Sequence, residues 1–136
     1  MAFMLHDEGE EYMLQTAFSE EQSAPANFYL GLCDDTLVEA DGLADIAGEE
    51  AGAGYSRQTI ASDDTDCVIA IDGDYYKCTF AEQTFSATGT WTEVNTWFIG
   101  TTSDNAGKLI ASGPIDPART LGNGDTVDVE SYIRIK

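Results

Sequence analysis

The sequence predicts a mainly β protein: an antiparallel β-sandwich or jelly-roll-like domain led by one short N-terminal helix. Three observations carry this. Val127, Val129, Ser131, Ile133 and Ile135 alternate with Asp128, Glu130, Tyr132 and Arg134, the period-2 pattern of a strand with one covered side. The runs "CVIAI" and "YYKCTFA" meet around Asp72-Gly73, a dipeptide that tolerates positive φ and so marks a hairpin. From residue 26 onward turn-forming residues recur roughly every ten positions, the spacing of sandwiches and jelly rolls. The 136 residues are enough for one domain, with the helix over residues 7–18 and the sandwich over 26–136.

In order along the chain, Asp7 and Glu10 have capping-box spacing, with Asp7 as the expected N-cap. Glu8, Glu10 and Glu11 then occupy the first turn, where the helix dipole favours anions. Met13 with Ala17, and Leu14 with Phe18, are i,i+4 apolar pairs. "SEEQSAPAN" ends the helix. "NFYLGLCD" places Phe28, Leu30 and Leu32 on one strand face. A long Gly/Ala/acid-rich connection follows, with a helical turn expected near Leu43 to Ala47. "YSRQTIA" reads as a short strand, entered through Gly54. The hairpin comes next, then "WTEVNTWFIGT" as a long aromatic strand on which Trp91 and Trp97 share a face. "KLIAS" reads as a strand and "GPIDPARTLGNGD" as a loop with two prolines and three glycines.

Charge narrows the function classes. Twenty-five acids face six bases, a net charge of −19, and only three residues are lysine. Self-repulsion of this size is costly in dilute salt and is largely screened at molar salt, where the Debye length is about 3 Å. This is the composition of a protein that works in brine. It opposes binding to phosphate backbones and to anionic membrane surfaces. No run of about 18 apolar residues marks a membrane span, and the first residues have neither the basic start nor the apolar stretch of an export signal.

Enzymatic signatures are missing. His6 is the single histidine and stands beside no nucleophile, and no G-x-S-x-G occurs. Acid pairs for glycoside hydrolysis are uninformative where acids are everywhere. Cys33, Cys67 and Cys78 are an odd number without C-x-x-C spacing and read as small buried hydrophobes, with Cys67 and Cys78 as candidate cross-strand neighbours. Asp63, Asp64 and Asp66 are weak metal candidates, because they do not follow the calcium-loop pattern; diffuse or weak cation binding is expected, and no cofactor. Arg57 and Arg119 are candidates for structural ion pairs. Met13, Leu14, Phe18, Trp91 and Trp97 are candidate interface residues. Trp91, Trp97, Tyr75 and Tyr76 would be the stacking faces if the domain bound glycans.

Four segments in order, "DEGEEYMLQTAF", "NFYLGLCDD", "LADIAGEEAGAGYSRQTI" and "GKLIASGPIDPARTLGNGDTVDVESYIRI", resemble a group of small structural proteins of tailed phages and archaeal tailed viruses. Those open with a short helix carrying a Gly-Glu pair, continue through an "LGL" strand and a "GYaRq" strand, and close on an "nGDtv" strand. The resemblance covers most of the chain and is weakest between residues 61 and 90. It implies a non-enzymatic, homo-oligomeric virion component, a trimer or a pentameric or hexameric ring. With the acidic composition it points to a haloarchaeal tailed virus. The leading expectation is a capsid decoration or turret subunit on the major capsid protein, made in the host cytoplasm. A tail or baseplate component is the first alternative, a host-glycan-binding module the second, and a small acid-pair hydrolase the last.

Overall fold

In the computed structural model, which describes residues 3–136, the chain runs β1 (Met4–Leu5), α1 (Asp7–Leu14), a π-helical turn (Gln15–Ser19), β2 (Asn27–Cys33), a 3-10 turn (Leu43–Asp45), β3 (Gln58–Ala61), β4 (Cys67–Asp72), β5 (Tyr75–Phe80), β6 (Gln83–Ser86), β7 (Glu93–Gly100), β8 (Leu109–Thr120), β9 (Thr126–Val129) and β10 (Tyr132–Ile135). Every strand pairing is antiparallel. One large sheet has the order β1-β8-β7-β2-β3; β10-β5-β4 and β6-β9 form two smaller ones. The fold is mainly β with a sandwich-like arrangement, as expected from the alternation and turn spacing.

The pleat explains how the large sheet is covered on both faces. Leu30, Leu32, Trp97 and Ile99 project to one side and join Phe80, Phe85, Val127 and Val129 of the smaller sheets in the main core. The intervening positions Cys33 and Phe98 project to the other side, where Leu37, Leu43 and Ile46 of the long connection cover them. That connection is therefore a structural lid. Asp35 accepts hydrogen bonds from the Ala47 and Gly48 N–H groups, and Asp45 from that of Gly42.

The helix start differs from expectation. His6 is the N-cap and Asp7 the first helical residue, and no side chain caps the helix. The reason is tertiary. β1 pairing delivers the chain so that His6 N–H donates to Ile110 O and Asp7 N–H to Glu39 O, both at 3.0 Å. Glu8 then reaches across, its Oε2 accepting from the N–H groups of Leu43 (3.0 Å) and Leu109 (2.7 Å). Gly9 lies against β8 so closely that a Cβ would sit 2.4 Å from Ile110 O. The helix runs on past the expected end through the π turn and stops at Glu20, which takes a left-handed φ of 57°.

Three other boundaries move. The hairpin loop is Gly73–Asp74, because Asp72 already pairs with Tyr75; Gly73 takes a φ of 63°, as the first position of a type II′ turn requires. Most of the expected "GPIDPARTLGNGD" loop is strand: β8 continues to Thr120, with Pro114 opposite Thr96 and a register shift between Val94 and Thr96. Prolines are tolerated because β8 faces β1 only at its other end, so the Pro114 and Pro117 positions lie along an otherwise free edge. The final strand divides at Glu130–Ser131. β9 pairs with β6, and β10 pairs with β5. Burial alternates as expected through Ser131. Beyond it Tyr132 is also packed, stacking on Phe3 at 5.0 Å and meeting Trp97 at 6.0 Å.

His6 is fully buried, and its Nε2 shares a 2.8 Å hydrogen bond with Ser112 Oγ. Burial holds its pKa below the ordinary value of 6.5, against the opposing pull of the Glu39 and Val38 backbone and the Asp41 charge. The neutral form is thus favoured in the folded state, so this contribution is intact above pH 6.5 and is lost as pH falls below it. In urea titrations, the stability difference between wild type and His6→Gln is expected to shift against wild type by up to about 1 kcal/mol between pH 7.5 and 5.5.

Candidate functional site

The sheet β10-β5-β4 has one wholly apolar face. Register places Cys67, Ile69 and Ile71 beside Phe80, Cys78 and Tyr76, and these beside Ile133 and Ile135. The inner end, with Phe80, Cys67, Cys78 and Ile133, packs on the main core. The outer end is open: Ile69 is 71% exposed, Ile71 68% and Tyr76 63%. Tyr12 and Met13 of α1 form the opposite wall of a groove over this face, enclosing about 310 Å³. Leu14 and Phe18, on the same helix and its π turn, are also exposed, Phe18 at 83%. An open apolar sheet face of this kind marks an interaction site.

The other face of the sheet is different. Lys77, Arg134 and Lys136, half of the chain's six cations, lie over the rings of Tyr75, Tyr132 and Phe3 at 4.6–5.8 Å. Lys77 and Lys136 also approach Asp72 and Asp74, each at 3.9 Å.

The structure separates the expected interface residues. Met13 lines the groove over the open face, and Leu14 and Phe18 are exposed on the same helical stretch. Trp91 and Trp97 are each 2% exposed and belong to the core. Trp91 precedes β7, its Nε1–H donates to Ala53 O at 2.8 Å, and its ring meets Tyr55 edge-on. Trp97 lies under the smaller sheets. Neither offers a stacking face to a ligand. Reading along the sequence missed Ile69, Ile71 and Ile135. The signal for Ile69 and Ile71 was present in "CVIAI", which is apolar at successive positions where a half-covered strand would alternate.

The acidic loop before β4 serves the backbone. Asp63 Oδ1 accepts from the N–H groups of Thr65 and Asp66, and Asp66 Oδ2 from that of Ala61; Asp64 is exposed. Asp63, Asp64 and Asp66 thus shape a turn. Among the described residues, the one set of three acids with oxygens within 4.8 Å of each other is Asp7, Glu10 and Glu39, all exposed. The three cysteines are free thiols. Cys67 and Cys78 are diagonal neighbours, since Cys78 stands opposite Ile69. Burial pushes Cys78 up to about 11 and Cys33 up to about 12, which leaves both protonated and unreactive at neutral pH.

Arg57 and Arg119 behave differently from one another. Arg119 donates to Thr126 O at 3.3 Å and makes no ion pair among the described residues; its exposed position on β8 puts no carboxylate in reach. Arg57 is buried and forks onto Glu49, with Nε to Oε2 at 2.7 Å and Nη2 to Oε1 at 2.8 Å. Nη1 donates to the Thr102 and Asp104 carbonyls, and Nη2 also to Asn105. All five donors are used, and the guanidinium lies 5.0 Å from the Phe98 ring centre. Glu49 also accepts from Tyr55 Oη at 2.7 Å, and Tyr55 Oη accepts from Leu32 N–H. Burial pushes the Tyr55 pKa upward, with Glu49 adding to the effect.

Comparison of the sequence with known families gives the class: a phage structural protein of the fibre type. The family model described as Podophage GP4 fiber I protein gp80 matches residues 5–132, and the chain belongs to that family. No curated protein matches the sequence significantly. No described helix is long and apolar enough to cross a membrane.

The Arg57 network sets a test. Arg57→Lys keeps the charge but loses the fork and most of the donors, so urea unfolding is expected to show a loss of about 3 kcal/mol, against under about 0.5 kcal/mol for the exposed Arg119→Lys.

Proposed function

We propose that the protein is a non-enzymatic, self-associating structural subunit of a tailed-virus fibre, built to work in concentrated salt and to hold its place through apolar contacts rather than a bound cofactor. The observation that carries this is the open apolar face of β10-β5-β4, in a chain of the fibre family. The fibre description favours the tail alternative over the capsid decoration or turret placement that the sequence put first. The glycan-binding alternative loses support, because Trp91 and Trp97 are buried and Tyr75 is covered by Arg134 and Lys136, which leaves Tyr76 as the one open ring of the four.

The salt argument gains support from where the acids lie. Glu50 is the single buried acid among the described residues, so almost the whole net charge of −19 faces solvent. A halophilic, haloarchaeal host accounts for such a surface.

Two experiments test the reading. Mass spectrometry and immunogold labelling of purified virions should find the chain at the tail; absence from virions overturns the structural role, and labelling confined to the capsid restores the decoration reading. Thermal unfolding followed in about 0.1 M and then about 3 M KCl should show a clearly higher midpoint in the concentrated salt. A midpoint indifferent to salt overturns the halophilic part alone.

A further inference from the structure

We propose that β4 is a self-pairing edge, at which two copies of this chain join antiparallel about a two-fold axis, with Ala70 opposite Ala70 and Ile69 opposite Ile71. The proposal rests on reading the chain as an assembly subunit and adds the contact by which copies meet.

Four observations lead to it. First, among the described residues β4 ends its sheet and pairs only with β5. The two-residue loop makes Asp72 and Tyr75 a hydrogen-bonded pair, so Ala70 and Val68 also face β5, while Ile69 and Ile71 aim N–H and C=O outward. Cys67 is in the same phase, and its N–H indeed bonds outside the ladder, to Asp63 O at 3.0 Å. Ile69 and Ile71 lack such a partner strand.

Second, the edge is undefended. Exposed edges are ordinarily blunted by charge, proline or a bulge. Cys67 to Ile71 contains no charge and no proline, pairs with β5 without a register shift, and exposes Val68, Ile69 and Ile71 by more than half.

Third, the segment itself adds no repulsion. Two copies each carrying −19 repel in dilute buffer, whereas molar salt screens charges beyond about 3 Å and leaves the uncharged stretch Cys67 to Ile71 free to meet its copy. The proposed register sets Asp72 of each copy opposite the uncharged Val68 of the other and brings Asp74 level with Asp66 beyond the strand ends, so the pairing is expected to need concentrated salt.

Fourth, the register is self-complementary. The outward groups of Ile69 meet those of Ile71 and the reverse, which is the isologous arrangement a two-fold demands. The smallest residue of the strand, Ala70, sits on the axis at the closely spaced non-hydrogen-bonded position. The two sheets become one of six strands with a continuous apolar face.

The test uses the full chain in molar KCl. Light scattering is expected to give two chains for wild type and one for Ile71→Pro, which removes an outward N–H and leaves the β4–β5 ladder intact. Ala70→Cys is expected to form a disulfide-linked dimer under mild oxidation that wild type does not form, because the paired Cα atoms lie about 4.5 Å apart, inside the disulfide range. A wild type that stays monomeric at high protein concentration, an Ile71→Pro dimer, or an Ala70→Cys chain that stays uncrosslinked each overturns the pairing. Cross-linking of Ala70→Cys to a different virion protein overturns it also. A monomer still found on virions sinks this contact alone, whereas a dimer missing from virions sinks the structural role alone.

Discussion

Arg57 is the point at which three separate stretches of chain are tied together. It enters from the approach to β3, grips Glu49 at the end of the long connection, and donates to the carbonyls of the 101–107 turn between β7 and β8. Through Glu49 and Tyr55 the same network reaches the β2 backbone. A buried cation is costly unless every donor is met, and here each one is. The lid over Cys33 and Phe98 depends on this anchoring, since without it the second face of the large sheet would be open to water.

The carboxylates do two kinds of work. Most stand in solvent and set the electrostatics of the surface. A smaller group, Glu8, Asp35, Glu50, Asp63 and Asp66, turns inward to accept backbone N–H groups in loops that have no sheet partner. A loop-rich β fold leaves many such donors, and an acid-rich chain has a ready supply of acceptors. Two of the dense aspartates before β4, Asp63 and Asp66, are such acceptors.

Much of the architecture was readable from pattern alone. Strands β2, β5 and β7 and the tight hairpin follow from alternation and turn chemistry, which are local. The failures share one cause. Asp7 lost the cap position because β1 pairing steers the chain into the helix. β8 ran through two prolines because part of its edge is free. β9 and β10 belong to different sheets although their alternation is continuous across Ser131. Each outcome was decided by a partner far away in sequence. The same holds for the site: Arg57 stood out as a rare cation, but Glu49 became its partner only through folding. Trp91 and Trp97 suited either a core or an interface by sequence, and the fold puts both in the core. The open face of β4 was legible in principle, because "CVIAI" carries apolar residues on both sides.

The placement of Lys77, Arg134 and Lys136 has a consequence for how the molecule orients. Half the cations are gathered on one small sheet, where Lys77 and Lys136 stand beside Asp72 and Asp74. That sheet therefore carries little of the net charge of −19, and the negative charge is unevenly spread over the molecule. In the field of an anionic neighbour it feels a torque before contact, turning its least negative pole inward. Docking would then begin from a narrow range of attitudes, with orientation settled during approach, before any surface is buried.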